Sequence, residues 1–207
     1  MRIPAVRLFD QAIDREIVAK DTHATFRYAR FPGEFRSRER AIAQGIEDAQ
    51  IDAGFECRAP ACELVALNFP SVLEVTSEHA RAAGIPLTLL PGSAFTADLG
   101  TGYDAILVTN LYHHFSADDN IKLMKRFHAA MRPGAQMMVL EMVPNADRIT
   151  PPSAASFSMM MLGNTSAGDA YTMGEYNEML DAAGFGAREV MDVPMSPQQL
   201  IVARRSD

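Results

Sequence analysis

Residues 103–115, Tyr103-Asp-Ala-Ile-Leu-Val-Thr-Asn-Leu-Tyr-His-His-Phe115, carry an apolar run straight into a group of polar and ionisable side chains. Ala105 to Val108 follow a turn signal, Gly100-Thr101-Gly102, and a short continuous run of aliphatic residues of this kind suits a strand covered on both faces. Such a strand belongs in the interior of a sheet. Its carboxyl end then delivers Thr109, Asn110, His113 and His114, and in open parallel α/β sheets ligands bind in the crevice outside the carboxyl ends of the strands.

Working outward, the same alternation continues in both directions. Downstream, Ile121, Leu123, Met124, Phe127 and Met131 recur at three-to-four spacing and predict a helix from about Ala117 to Met131, ended by Arg132-Pro133-Gly134. Met137 to Met142 reads as a strand and Met173 to Ala183 as a helix stopped by Gly184. Ala187 to Val193 and Gln199 to Ala203 read as a closing strand pair. Upstream, Leu64 to Leu67 is a strand by composition and Asn68-Phe69-Pro70 a turn. Ser71 to Ala83 is a helix with Ser71 as its N-cap and Gly84 as its stop. Leu87 to Leu90 is a further strand, closed by Pro91-Gly92. Strands alternating with helices at this spacing predict an α/β fold with a mostly parallel, doubly wound sheet. Before residue 60 the signals are of another kind. Leu8, Ile13, Ile17 and Val18 suggest a helix over Leu8 to Lys20. Residues 26–48 interleave arginines with aromatics around Pro32-Gly33 and then suggest a helix from Ser37 to Asp48.

The chain has 207 residues, 48% hydrophobic and 22% charged, enough to bury one substantial core. Residues 1–60 are near charge balance and the remainder is clearly acidic, which divides the chain into a divergent N-terminal segment over 1–60, helical or partly disordered, and an α/β domain over 61–207. The net charge of -7 and pI near 5.2 argue against a nucleic-acid partner, because phosphate neutralisation needs a basic face. Glu34, Glu39, Glu47 and Asp48 dilute the one arginine-rich stretch. Cys57 and Cys62 are too few for a zinc site or a disulfide framework, so no metal is expected and a reduced, cytoplasmic protein is the simplest reading. No run approaches the roughly 18 apolar residues of a membrane helix, and the opening MRIPAVRLFDQAIDRE is too charged for a signal-peptide core, so neither membrane association nor export is expected.

Six ordered blocks carry a resemblance: ALNFPSVLEV at 66–75, LLPGSAF at 89–95, GYDAILVTNLYHHF at 102–115, AAMRPGAQMMVLEMVPNADR at 129–148, FSMMMLGNTSAGDAYT at 157–172 and EMLDAAGF at 178–185. In these blocks the chain resembles the S-adenosylmethionine-dependent O-methyltransferases of the plant caffeate and bacterial polyketide or hydroxyindole type, including bacterial members with an LHHF motif. The resemblance implies a Rossmann-like class I methyltransferase sheet, S-adenosyl-L-methionine as cofactor and a small hydroxylated acceptor, phenolic or polyketide-like. It puts His113 at the position of the base that removes the acceptor's hydroxyl proton, and Glu141 at that of the carboxylate that orients this histidine. Imidazole is suited to the task, since it titrates near neutrality and a phenol is a poor nucleophile until deprotonated. Cofactor contacts are implied at Asp52 and Gly54, at Asn68 and Phe69 beside the ribose and adenine, at Ser93, Ala94 and Phe95 along the adenine, and at Thr109. Phe157, Met160, Met161 and Asn164 match the substrate-pocket wall. Each has a plainer alternative: His114 a structural residue beside Phe115, Glu141 a surface acid after a strand, the Met159–Met161 run an adaptable core filler.

The departures from the family pattern are equally specific. Asn68 stands where the family has a ribose-binding aspartate, and Ser93 where it has a second aspartate. A further carboxylate beside the catalytic histidine corresponds to Ala170, with Asp169 one position away. The glycine-rich loop after the first strand, whose backbone and following helix N-terminus would hold the cofactor, survives only as Ile51-Asp52-Ala53-Gly54, so the N-terminal strand and its loop read as degenerate or missing. Residues 1–60 do not resemble the family's dimerisation domain, which leaves a homodimer without its usual basis and suggests a truncated or rearranged methyltransferase. Two functions follow: an O-methyltransferase that rebuilds its cofactor loop, or a catalytically silent relative acting as a binding or partner protein.

Overall fold

Seven strands form one mixed sheet in the computed structural model, which describes residues 40–43, 63–193 and 196–206. In chain order the elements are β1 (Arg40–Ala43), β2 (Glu63–Asn68), α1 (Pro70–Ala82), β3 (Leu87–Pro91), β4 (Tyr103–Thr109), α2 (Ala117–Ala130), β5 (Met131–Glu141), α3 (Pro152–Asn164), α4 (Met173–Ala183), β6 (Phe185–Asp192) and β7 (Gln199–Arg205). A single 3-10 turn, Tyr112–His114, lies between β4 and α2. The strand order is β3-β2-β1-β4-β5-β7-β6, with β7 antiparallel to both of its neighbours and the other pairs parallel.

As its composition predicts, β4 is interior: it pairs in parallel with β1 on one side and β5 on the other. Ala105, Ile106, Leu107 and Val108 are all 2% exposed or less. Helices α2 and α4 pack against each other. Leu123, Met124 and Phe127 of α2 join Tyr176, Met179 and Leu180 of α4 in the core cluster that contains β4, β5 and β7.

The structure departs from the sequence expectation at several points. Arg40–Ala43 is a strand, not part of a helix over Ser37–Asp48, and it occupies the sheet position between β2 and β4. The N-terminal strand, expected to be degenerate or missing, is thus present, and it lies where the strand order reverses. The helix suggested at Leu8–Lys20 lies outside the described residues. Ser71 is not the N-cap of α1; Phe69 is, with Pro70 in the first turn, where a missing N–H leaves no hydrogen bond unmade. Strand β5 begins at Met131, six residues before the expected start, because Arg132-Pro133-Gly134 form an irregular stretch inside the strand. Its register shifts between Tyr103 and Ala105 of β4, and Gly134 takes φ +75°, open to glycine without strain. Helix α3 has no counterpart in the sequence reading. It is apolar nearly all round, so no stripe marks it, and only Ala154 and Met161 are buried. Helix α4 matches its expected limits, with a Thr172/Glu175 capping box and Gly184 at φ +90° as its stop. Among the described residues no helix is long and apolar enough to cross a membrane.

Candidate active site

The carboxyl ends of β4 and β5 lie side by side, and the site is built where the chain leaves them. At Asn110 the backbone enters the left-handed region, φ +54°, which asparagine tolerates better than most residues. Its N–H still reaches the Leu140 carbonyl of β5 at 3.0 Å, and its side-chain oxygen accepts from the Gln198 amide. This reversal throws Leu111 to His114 over the end of β5, where Glu141 waits.

Glu141 is fully buried. Its Oε1 accepts from the backbone N–H groups of Leu111 at 2.7 Å and Tyr112 at 2.9 Å, and its Oε2 lies 2.6 Å from His113 Nδ1. A buried carboxylate is costly unless hydrogen-bonded on both oxygens, and this arrangement supplies those bonds while fixing the imidazole. A carboxylate at Nδ1 favours the tautomer that carries its proton there and leaves the Nε2 lone pair free to accept. His113 is itself 5% exposed. The Phe157 ring stands edge-on to it at 4.7 Å and 88°. His113 Nε2 lies 3.1 Å from His114 Nε2. Burial first, and then the neighbouring His113, lower the His114 pKa from its ordinary 6.5 to about 4, so that ring is neutral near pH 7. Burial, reinforced by the Glu141 charge, holds the Tyr112 phenol well above its usual range.

The turn is clamped by residues that the sequence reading missed. Asn120 Nδ2 donates to the carbonyls of Tyr112 at 2.8 Å and Phe115 at 3.4 Å, and the Tyr171 hydroxyl donates to Phe115 O at 2.6 Å. Gly168 lies so close that a Cβ there would fall 2.1 Å from the His113 carbonyl oxygen. A buried asparagine on the apolar face of a predicted helix was the one available signal, and Asn120 shows it. Asp169, one position from the expected second carboxylate, pairs instead with Arg148 at 2.8 Å and with Ser158. Ala170 is fully buried and supplies no charge.

Around the carboxyl end of β2 the chemistry is sparser. Asn68 is fully buried, and its Oδ1 accepts from the Phe69 N–H at 2.8 Å while its Nδ2 has no partner among the described residues. The Asn68 carbonyl accepts from Gly92 N at 2.9 Å, which brings the turn after β3 alongside. There Ser93 Oγ accepts from Phe95 N at 3.3 Å, and Ala94 is buried. Thr109, at the end of β4, is buried as well. The Phe95 and Phe115 rings meet at 4.9 Å, edge to face, and so join this side to the histidine turn. Of the residues matched to a substrate wall, Phe157 touches His113 and Met161 is buried. Met160 is 49% exposed. Asn164 is exposed and donates to the Met160 carbonyl of its own helix. Asp52 and Gly54 lie outside the described residues.

A sheet of this order, with β7 antiparallel and a buried imidazole-carboxylate pair at the ends of β4 and β5, has the Rossmann-like architecture of class I S-adenosylmethionine-dependent methyltransferases. The O-methyltransferase domain family matches residues 51–186, and the chain belongs to that family. It is 32% identical over 120 residues to the 3-hydroxy-5-methyl-1-naphthoate 3-O-methyltransferase of Streptomyces sahachiroi, covering 57% of this chain and 34% of that enzyme. It is 28% identical over 131 residues to the acetylserotonin O-methyltransferase of Gallus gallus, covering 63% and 37%. A candidate O-methyltransferase of Nostoc punctiforme PCC 73102 superposes with a TM-score of 0.76 at 35% identity, over 81% of this chain and 52% of that one. The chain thus spans about a third of the length of these curated relatives and about half of the solved one.

Proposed function

We propose that the protein transfers a methyl group from S-adenosylmethionine to the hydroxyl of a small phenolic or polyketide-like molecule, with the His113–Glu141 pair accepting the hydroxyl proton. The observation that carries this reading is the 2.6 Å contact between His113 Nδ1 and a carboxylate whose other oxygen is fixed by two backbone N–H groups. Glu141 keeps the proton of resting His113 on Nδ1, directs Nε2 away as the base, and offsets the charge of the imidazolium formed when a proton arrives. The naphthoate and acetylserotonin enzymes among its relatives favour an aromatic hydroxyl as acceptor.

The residues present fit the cofactor in one testable respect. Buried at the end of β2, Asn68 Nδ2 is a donor with no acceptor among the described residues, and a ribose hydroxyl oxygen would satisfy it. Asn68 and Phe69 would hold the ribose and adenine, Ser93, Ala94 and Phe95 the adenine, and Thr109 would close the side nearest β4. Asp52 and Gly54 are assigned to the methionine end. When bound, S-adenosylmethionine supplies a methyl group on a sulfonium, which leaves readily and needs mainly alignment with the acceptor oxygen. Phe157, with Met160, Met161 and Asn164, would form the acceptor side, where Phe157 excludes water from His113.

The test is transfer of labelled methyl from S-adenosylmethionine to a panel of naphthols and hydroxynaphthoates. His113→Gln should lower turnover by a factor on the order of 100 to 10,000 with the fold retained, the usual worth of a general base. Unchanged turnover in that variant would assign His113 to structure.

A further inference from the structure

Every polar atom of the His113 ring is engaged: Nδ1 by Glu141 and Nε2 by His114. With Phe157 against its edge and 5% of its surface exposed, His113 presents no nitrogen to an incoming hydroxyl. His114 differs. It is partly exposed, and among the described residues its Nδ1 makes no hydrogen bond. With the His113 proton on Nδ1, the 3.1 Å contact between the two Nε2 atoms is a hydrogen bond when neutral His114 carries its proton on its own Nε2 and donates to His113.

Resting on the methyl-transfer reading above, we propose that His114 receives the acceptor's proton and passes a proton on to His113, so that the two rings and Glu141 act as a relay. The acceptor O–H bond breaks and a bond from that proton to His114 Nδ1 forms. The His114 Nε2–H bond breaks and a His113 Nε2–H bond forms, leaving His114 neutral in its other tautomer and His113 as an imidazolium against the Glu141 carboxylate. The electron pair left on the acceptor oxygen forms the new O–CH3 bond as the sulfonium S–CH3 bond breaks and its pair returns to sulfur. The depressed basicity of His114 agrees with a group that transmits a proton rather than storing it, whereas His113 lies directly on the carboxylate that stabilises positive charge.

The relay is tested first without any substrate. Imidazole 15N spectra of the wild-type protein at neutral pH should show His113 protonated on Nδ1 and His114 on Nε2. His114 protonated on Nδ1 would overturn the proposal, because it would leave no proton to pass between the rings. The second arm is His114→Ala, which removes the relaying ring and uncovers His113. Methyl transfer to a hydroxynaphthoate should fall on the order of 100-fold and recover in part with added imidazole, which a structural role would not produce. Turnover that is unchanged or raised in His114→Ala, with His113→Gln still impaired, would make His114 a plug over a base that meets the acceptor directly. Should His113→Gln also keep full turnover, the methyl-transfer base itself is misassigned, a separate outcome from failure of the relay.

Discussion

The two sides of the site are built to different standards. At the ends of β4 and β5, Glu141 fills both oxygens with donors, and Asn120, Tyr171 and the close approach of Gly168 tie down the carbonyls of the histidine turn. Across the reversal of strand order, at the end of β2, a neutral amide stands in place of a carboxylate, and its Nδ2 has no partner among the described residues. The difference teaches that the histidine side is ordered by the protein's own bonds, whereas the β2 side keeps one buried donor unmatched among the described residues.

The sharpest way to break this contrast is to remove Glu141. Glu141→Ala leaves two buried backbone N–H groups and His113 without their acceptor, so denaturant unfolding should register a loss of about 3–5 kcal/mol, the range for breaking a buried pair from one side. Glu141→Gln keeps an oxygen for Leu111 and Tyr112 but turns an N–H2 toward His113 Nδ1. It should recover most of that stability while remaining silent in methyl transfer. A stable Glu141→Ala variant would mean that the turn is not held as described.

A smaller effect follows from His114. Its folded pKa is lowered from 6.5 to about 4, so between these values the unfolded chain binds a proton that the folded protein refuses. The stabilisation is therefore complete above about pH 6.5 and is lost as pH falls toward 4. Discounted for partial exposure, it amounts to about 2 kcal/mol. Urea unfolding at pH 7 and pH 4.5 should show this loss in the wild type, and His114→Asn should lack that component. An identical slope in both proteins would remove His114 as its source.

The mildest change is Asn68→Asp. The new carboxylate still accepts from the Phe69 N–H and places a second oxygen where Nδ2 now lies, without a partner among the described residues. A charge-assisted bond to a ribose hydroxyl exceeds a neutral one by about 1–2 kcal/mol, so S-adenosylhomocysteine should bind roughly tenfold more tightly. An unaltered Kd would show that the ribose does not lie against residue 68.

How much of this was legible in the sequence depended on what kind of force each feature uses. Strand β4 was readable because uninterrupted burial leaves an uninterrupted apolar run, and α4 because a Thr172 cap and a Gly184 stop are local chemistry. Strand β1 was not: Arg40-Ala41-Ile42-Ala43 is short and flanked by charges, and only its pairing to β2 and β4 makes it a strand. Helix α3 escaped because periodicity needs a polar face to contrast with, and Met159, Met160 and Leu162 are apolar yet exposed. Within the site, His113 and Glu141 stood out by motif, and the structure brings them into contact. Asn120, Tyr171 and Gly168 act on backbone carbonyls brought near by tertiary packing, which leaves no pattern along the chain. The pairing of His114 with His113 likewise rests on ring orientation.

Isothermal titration of the wild-type protein with S-adenosylhomocysteine tests the central claim most directly, since it asks whether the β2 side holds the cofactor and needs no choice of acceptor. Saturable one-to-one binding with a Kd on the order of 10–1,000 μM is predicted, weak because residue 68 carries no charge. Absence of any saturable heat at millimolar ligand would contradict the methyltransferase reading and favour a catalytically silent partner protein.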